Sequence, residues 1–285
     1  MQELLGLKGF IDALSIGSNI HINICDFSGL LSHPLLELPT ENRIHCRAFC
    51  DIAKSTAMGY ETCINQKSIA NKRAKANSEI FCGHCPFGLF EIGKPIVISG
   101  KTLGVIYVGN MVTDENFSFA AAKATCDKTG VNYELLIKEF KNCEKTENKE
   151  IFLNTAKAIE GYITLILKSV PKPTAEQTQH WLINELKRYV SENYKDPIKL
   201  KDIAGIYGFN EKYMGRLFKT ETGISFSNYI NELRLSSAKQ KLISTTKSVT
   251  DIALLSGFDN VTYFNRLFKK QNGITPTEFR KKAGG

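Results

Sequence analysis

Five of the chain's eight cysteines, Cys46, Cys50, Cys63, Cys82 and Cys85, fall in one short stretch. Thiolates are soft ligands, and four of them suit zinc or an iron–sulfur cluster. Cys46 and Cys50 are one helical turn apart and share a face. Cys82 and Cys85 have the spacing of a chelating pair. The competing reading makes them buried, small, apolar side chains, since closeness in sequence does not establish convergence in space. His84, between two cysteines, is the better histidine candidate, while His21 reads as a hydrogen-bonded structural residue. Cys25, Cys126 and Cys143 read as packing or surface residues. No phosphate-binding glycine loop and no Ser/His/Asp pattern accompanies these groups, so the chain is not expected to be an enzyme.

The elements that must position the cysteines alternate between helix and strand. Leu4, Leu7, Ile11 and Leu14 predict an amphipathic helix over 4–16. Ile20 to Ile24 alternates as a strand, turns at 26–29, and Leu30-Leu31 is expected to start a returning strand. Helices are predicted over 42–54, carrying Cys46 and Cys50, and over 59–77, carrying Cys63. Strands are predicted over 88–98 and 101–112, with the turn at Ser99-Gly100-Lys101. The apolar run 103–109 is suited to the centre of a sheet. Helices follow near 116–129 and 132–141. A long helix over 147–169 has Ile151, Thr155, Ala158, Tyr162, Leu165 and Ile166 on a stripe and ends at Pro171-Lys172-Pro173, a stiff connector.

The cysteines, with Cys85-Pro86-Phe87-Gly88-Leu89, Pro95-Ile96 and Gly104-Val105-Ile106-Tyr107-Val108-Gly109-Asn110, make this region resemble the PocR sensory domain, a PAS- or GAF-like ligand-binding module. That family usually has histidine after the cysteine at 85 and glutamine at 110, where this chain has Pro86 and Asn110. The resemblance implies an α+β sensor of small organic molecules, such as short diols or other simple hydrocarbon derivatives. Cys46, Cys50, Cys63, Cys85 and Asn110 are its ligand-sensing candidates. Cys46, Cys50, Cys63, Cys82 and Cys85 are the metal candidates if zinc or an iron–sulfur cluster binds.

Charge divides the chain at the connector. The net charge is +8. Residues 177–285 hold 18 Lys and Arg against 10 Asp and Glu, and residues 1–176 hold 19 against 19. The whole excess therefore sits on the last third, which points to a polyanion. The N-terminus lacks the basic start and apolar run of a signal peptide, and no stretch is long enough to span a bilayer. A cytoplasmic protein with reduced thiols is expected. Three segments follow: 1–145 as the sensor, 146–176 as connecting helix and linker, and 177–285 as a second, all-α domain.

That last segment repeats itself. Lys201-Asp202-Ile203-Ala204, Gly208-Phe209-Asn210, Arg216-Leu217-Phe218-Lys219 and Gly223-Ile224-Ser225 are echoed by Thr250-Asp251-Ile252-Ala253, Gly257-Phe258-Asp259, Arg266-Leu267-Phe268-Lys269 and Gly273-Ile274-Thr275. The offset is 49 up to Asn210/Asp259 and 50 from Tyr213/Tyr263 onward, so the second copy holds one extra residue. Each copy reads as helix, glycine turn, helix, the plan of a helix-turn-helix reader of DNA. Gly208 and Gly257 end the first helices, and Asn210 and Asp259 are the expected caps of the second. Thr275-Pro276-Thr277-Glu278 is a capping box. One helix over 227–244 joins the copies and would hold two readers in successive major grooves, roughly 34 Å apart.

Residues 180–283 resemble the AraC/XylS family of transcriptional regulators. The most specific part is Gly257-Phe258-Asp259-Asn260-Val261-Thr262-Tyr263-Phe264-Asn265-Arg266-Leu267-Phe268-Lys269-Lys270, then Gly273-Ile274-Thr275-Pro276 and Phe279-Arg280. The resemblance implies that the exposed face of each second helix meets double-stranded DNA. These are Lys212, Gly215, Arg216 and Lys219 in the first copy, and Asn260, Val261, Thr262, Asn265, Arg266 and Lys270 in the second. Arginine reads guanine, asparagine reads adenine, and valine or threonine touches a thymine methyl. Arg216 and Arg266 read equally as base readers or as phosphate clamps or structural ion pairs, and Tyr213 and Tyr263 as packing. The expected protein is a one-component transcriptional regulator that answers a small organic effector, with a cysteine-based metal or redox switch as the alternative. A homodimer formed through the 147–169 helix is expected, and RNA polymerase is a candidate partner.

Overall fold

The computed structural model describes residues 5–44, 47–168 and 175–283. The chain forms two compact units, Met1–Leu182 with Ala204–Phe209, and Ile183–Ile203 with Asn210–Gly285. Pro171-Lys172-Pro173 and Cys46 lie outside the described residues.

The N-terminal unit runs α1 (Leu7–Ser15), β1 (His21–Asp26), α2 (Ala48–Ala53), α3 (Ala57–Asn77), β2 (Phe81–His84), β3 (Phe90–Ile98), β4 (Lys101–Val112), α4 (Glu115–Thr129), α5 (Tyr133–Lys138), β5 (Glu144–Lys145) and α6 (Lys149–Lys168). The sheet order is β1-β4-β3-β2, all antiparallel, with the two-residue β5 parallel to the end of β4. β4, expected at the centre, is paired on both sides.

Two local expectations are corrected. Leu30-Leu31 starts no strand; it forms a 3-10 turn over Leu30–Ser32. The Asp26 carboxylate takes the amide hydrogens of Ser28, Gly29 and Leu31 at 2.8, 2.9 and 2.9 Å, which folds the chain back before a strand can form. The helix expected over 42–54 is the shorter α2. The strand β2 was hidden from the periodicity because it is four residues long and holds Cys82, Gly83 and His84.

Strand alternation gives the sheet two unlike faces. On one, Ile22, Ile24, Ile92, Ile96, Ile106 and Val108 form a core with Leu7 and Ile11 of α1 and Phe152, Ala156, Ile159, Ile163 and Ile166 of α6. The long helix expected as a separate connector is therefore part of the sensor's core. Its buried stripe matches the expected one in part: Ile166 is buried and Tyr162 packs on the core, whereas Ile151 and Leu165 are exposed because the helix turns Phe152 and Ile159 to the sheet. A second apolar cluster joins Phe49 and Ala53 of α2 to Phe87, Leu89, Ala122, Cys126, Val131, Leu136 and Phe140.

The C-terminal helices are α7 (Ala175–Asn193) and α8 (Leu200–Tyr207), each divided between the two units, and then α9 (Glu211–Thr222), α10 (Phe226–Ser244), α11 (Val249–Leu255), α12 (Val261–Asn272) and α13 (Pro276–Ala283), all in the second. At 1.5 Å per residue α10 is a rod of about 28 Å. Phe218 of α9 packs edge-on against Phe226 and Tyr229 at one end of it. Leu235, Ala238 and Leu242 pack with Ile252, Ala253, Phe258, Phe264 and Phe268 at the other. Among the described residues no helix is long and apolar enough to cross a membrane.

Candidate DNA-reading faces and a buried polar layer

The two reading helices are built alike. Asn210 caps α9 by accepting the Tyr213 amide hydrogen at 3.1 Å, and Asn260 caps α12 by accepting that of Tyr263 at 2.8 Å. Gly223 and Gly273 close them in the left-handed region, at φ 79° and 77°. Asn260 is therefore the structural equal of Asn210, and Asp259 is the residue added to the second copy. This corrects the cap expected at Asp259. It also changes the role of Asn260, whose side-chain oxygen is committed to the helix start and cannot join a bidentate contact with adenine.

Met214 and Phe218 of α9, and Phe264 and Phe268 of α12, are buried. Their helical complement is exposed. Lys212, Arg216 and Lys219 line one face of α9, and Thr262, Asn265, Arg266 and Lys270 are exposed on α12. Val261 is half-buried and packs against the core below. Gly215 does not belong to the reading face. A Cβ there would lie 3.2 Å from Leu200 Cδ2, so its role is close approach to the start of α8.

Tyr263, expected as packing, is 38% exposed. Its hydroxyl accepts a hydrogen bond from Asn231 Nδ2 of α10 at 3.0 Å, and the Arg266 guanidinium lies 5.6 Å from its ring centroid. Two arginines brace the unit. Arg234 of α10 donates to the carbonyls of Tyr194 and Asp196 at 2.6 and 2.8 Å, and Arg280 donates to those of Leu242 and Lys247 at 3.2 and 2.6 Å. The expected capping box is present, with the Thr275 amide donating to Glu278 Oε2 at 2.7 Å. Those amide and hydroxyl hydrogen bonds hold the Glu278 carboxyl below its ordinary range.

The sensor's chemistry lies on the sheet face opposite its main core. Pairing of His21 with Gly109, Asn23 with Tyr107, and Gly93 with Tyr107 puts His21, Asn23, Tyr107, Gly109 and Gly93 on that face. A register shift between Phe90 and Ile92 leaves Glu91 opposite a bulge in β4, where Asn110 takes φ 66°. The Glu91 carboxylate then lies over Gly109, its Oε2 3.5 Å from where a Cβ would be.

Helix α3 covers this face, with Cys63, Lys67 and Asn71 one turn apart on one side. Lys67 Nζ sits 3.0 Å above the Tyr107 ring centroid, and the Tyr107 hydroxyl donates to Asn71 Oδ1 at 2.5 Å. Burial pulls the Lys67 ammonium below its ordinary range, opposed by the charge of Glu91. Burial also pushes the Glu91 carboxyl up, opposed by Lys67. His21 is lowered to about 4 by burial and then by Arg47, whose Nε lies 3.2 Å from His21 Nδ1. Asn23 is 1% exposed, and its Oδ1 meets no hydrogen-bond donor among the described residues.

The expected cysteine set is split. Cys50, Cys63 and Cys85 are near enough to influence one another electrostatically, and all three thiols are pushed up by burial first, Cys85 to about 12. They are neutral thiols at physiological pH, and Cys50 and Cys85 pack on the second apolar cluster. Cys82 pairs with Ile92, on the other face of the sheet, and is exposed. Among the described residues no three His, Cys, Asp or Glu side chains are placed to hold a metal ion. Asn110 donates to the carbonyls of Asn19 and Asn142 at 2.6 and 3.3 Å, so its amide fixes the bulge and does not enter the polar layer.

Sequence reasoning passed over Asn23, Lys67, Glu91 and Tyr107. A carboxylate within the β3 apolar run, and a lysine four residues after Cys63 on the α3 face, were the available signals.

An α+β unit with a polar layer under one helix, followed in the chain by paired helix-turn-helix units, defines a sensor joined to a double reader. Residues 4–169 match the family model described as the sensory domain found in PocR, and residues 203–282 match a helix-turn-helix domain. The regulatory protein PocR of Salmonella typhimurium is 23% identical over 248 residues, 82% of each chain. The bifunctional transcriptional activator/DNA repair enzyme AdaA of Bacillus subtilis is 34% identical over 137 residues, 48% of this chain and 64% of that protein. The transcriptional regulatory protein YesN of the same organism is 44% identical over 108 residues, 36% of this chain and 29% of that protein. The matched stretches thus span less than two thirds of AdaA and YesN. The chain belongs to the AraC-type family whose members carry a PocR sensory domain.

Proposed function

We propose that the chain is a one-component transcriptional regulator. Its second unit binds double-stranded DNA in a sequence-specific way, and its N-terminal unit, PAS- or GAF-like in plan, binds a small organic effector such as a short diol or simple hydrocarbon derivative. The carrying observation is that α9 and α12, packed on one rod, both bury their aromatic faces and leave Arg216 and Arg266 exposed. Helices so presented fit adjacent major grooves. Effector control requires that the ligand bind one state of the reader better than the other. A homodimer would double the reading surface, and RNA polymerase is a candidate partner for the bound complex.

The effector reading is supported over a cysteine-based switch by geometry, since Cys82 lies on the opposite sheet face from the layer under α3, and Cys50 and Cys85 pack on the second apolar cluster. Zinc or an iron–sulfur cluster would also have to displace the thiol protons. Selection of bound sequences from a random duplex pool by the purified chain tests the DNA reading. An enriched motif with two half-sites about one helical turn apart supports it, and recovery of unenriched sequence contradicts it. Metal analysis of the same sample tests the switch.

A further inference from the structure

The sensor holds one buried polar atom whose chemistry is incomplete. Asn23 lies on the polar face directly across from Tyr107, and its Oδ1 meets no donor among the described residues. A buried acceptor without a donor bears the full cost of its desolvation. A chain that keeps asparagine there instead of leucine carries that cost in its own folding. The groups around it are specific. Lys67 lies on the Tyr107 ring, Asn71 holds the Tyr107 hydroxyl, and the Glu91 carboxylate lies over Gly109. His21, two residues along β1 on the same face, is neutral. Burial works against the charged forms of both Lys67 and Glu91 in this layer, and each opposes that effect on the other. A charged ligand would meet the same cost of leaving water, which an uncharged one avoids.

We propose that this polar layer is the effector site and that Asn23 reads its ligand, a small uncharged molecule that donates an O–H or N–H to Asn23 Oδ1. The inference rests on the reading of the N-terminal unit as the sensor and goes further by naming the site and the group recognised. It moves the site away from Cys50, Cys85 and Asn110 and onto β1, β4 and α3. Cys63 remains at its edge, on the α3 face one turn before Lys67. The donor has two sources, an alcohol or a carboxamide, and the probes separate them.

The test uses the full chain, with ethane-1,2-diol, acetamide, acetone and acetate as probes in a thermal-shift titration. A ligand that binds the folded state raises its midpoint. The diol or acetamide should shift the wild type, and acetone and acetate should not. Whichever of the two donors shifts it identifies the source. Asn23→Leu keeps the volume and removes the acceptor. It should leave the ligand-free chain as stable or more so, and weaken the effective probe about tenfold or more. An equal shift in wild type and Asn23→Leu overturns the assignment, and means that water, not the effector, satisfies this acceptor. Shifts by acetone or acetate alone overturn the donor class while leaving a sensor in place. Silence of the wild type to all four probes overturns the ligand class proposed, and leaves the DNA-binding reading to its own selection experiment. If Asn23→Leu fails to fold, hydrogen exchange on the wild type decides. Probe-dependent protection confined to β1, β4 and α3 supports the site, and protection elsewhere or none contradicts it.

Discussion

Asn231 of α10 donates a hydrogen bond to the Tyr263 hydroxyl of α12 at 3.0 Å, and so ties the second reading helix to the rod that carries both readers. Arg266 lies against the other side of this contact, over the Tyr263 ring. Tyr263→Phe keeps the ring and loses the tie. It should cost about 0.5–1.5 kcal/mol of stability in chemical denaturation. Asn231→Ala should cost a similar amount, and the double variant no more than either alone. Additive losses would mean that the two side chains act independently.

The caps give a second contrast. Asn260→Ala should destabilise the chain by about 1 kcal/mol, because α12 loses its N-terminal acceptor. Asp259→Ala removes no cap and should cost less, although its charge faces Arg234. A larger loss at Asp259 would restore the cap to that residue.

The reading faces separate base from backbone contacts. Arg266→Ala should lose about 1–3 kcal/mol of discrimination at one base position of the selected site. Lys270→Ala should weaken all sequences alike and reduce the salt slope by about one. Binding profiles measured over a range of salt concentrations distinguish the two. A Lys270 effect confined to one base position contradicts its assignment to phosphate.

His21 sets an acid limit. Its folded pKa, about 4, lies below the value of 6.5 for a free imidazole. The unfolded chain therefore takes up a proton that the folded chain refuses. Stability contributed by neutral His21 is complete above about pH 6.5 and is lost as pH falls toward 4. Unfolding midpoints should decline over that window, and His21→Gln should flatten the decline. An unchanged profile in the variant would place the acid sensitivity elsewhere.

The reader was legible because its signals are local. The glycines at 208, 257, 223 and 273, and the capping box at 275–278, fix turns through backbone chemistry alone, and a repeat shows each of them twice. Even there, Asp259 was paired with Asn210 and the extra residue left between it and Tyr263, since both Asp259 and Asn260 are able to cap. Gly215 looked exposed because no short-range rule reports that Leu200 comes back against it. The sensor was harder. Its strands β1, β3 and β4 followed from alternation, but its site depends on α3 lying over one face of the sheet. Only that packing brings Lys67 onto Tyr107, while the register of β2 sets Cys82 on the opposite face. Cysteine spacing drew attention to the α3 segment, and left Lys67 and Asn71 beside Cys63 unread. The carriers of the site are a bulge at Asn110, which aims Glu91, and an unsatisfied Asn23, neither of which has a sequence signature.

Hydroxyl-radical footprinting of the full chain on its selected duplex tests the central claim most directly. Two protected stretches are expected on one face of the DNA, about one helical turn apart, with Arg216→Ala exposing only the first reader's stretch and Arg266→Ala only the second's. A single protected stretch, or two lost together in both variants, would contradict paired readers held on one rod.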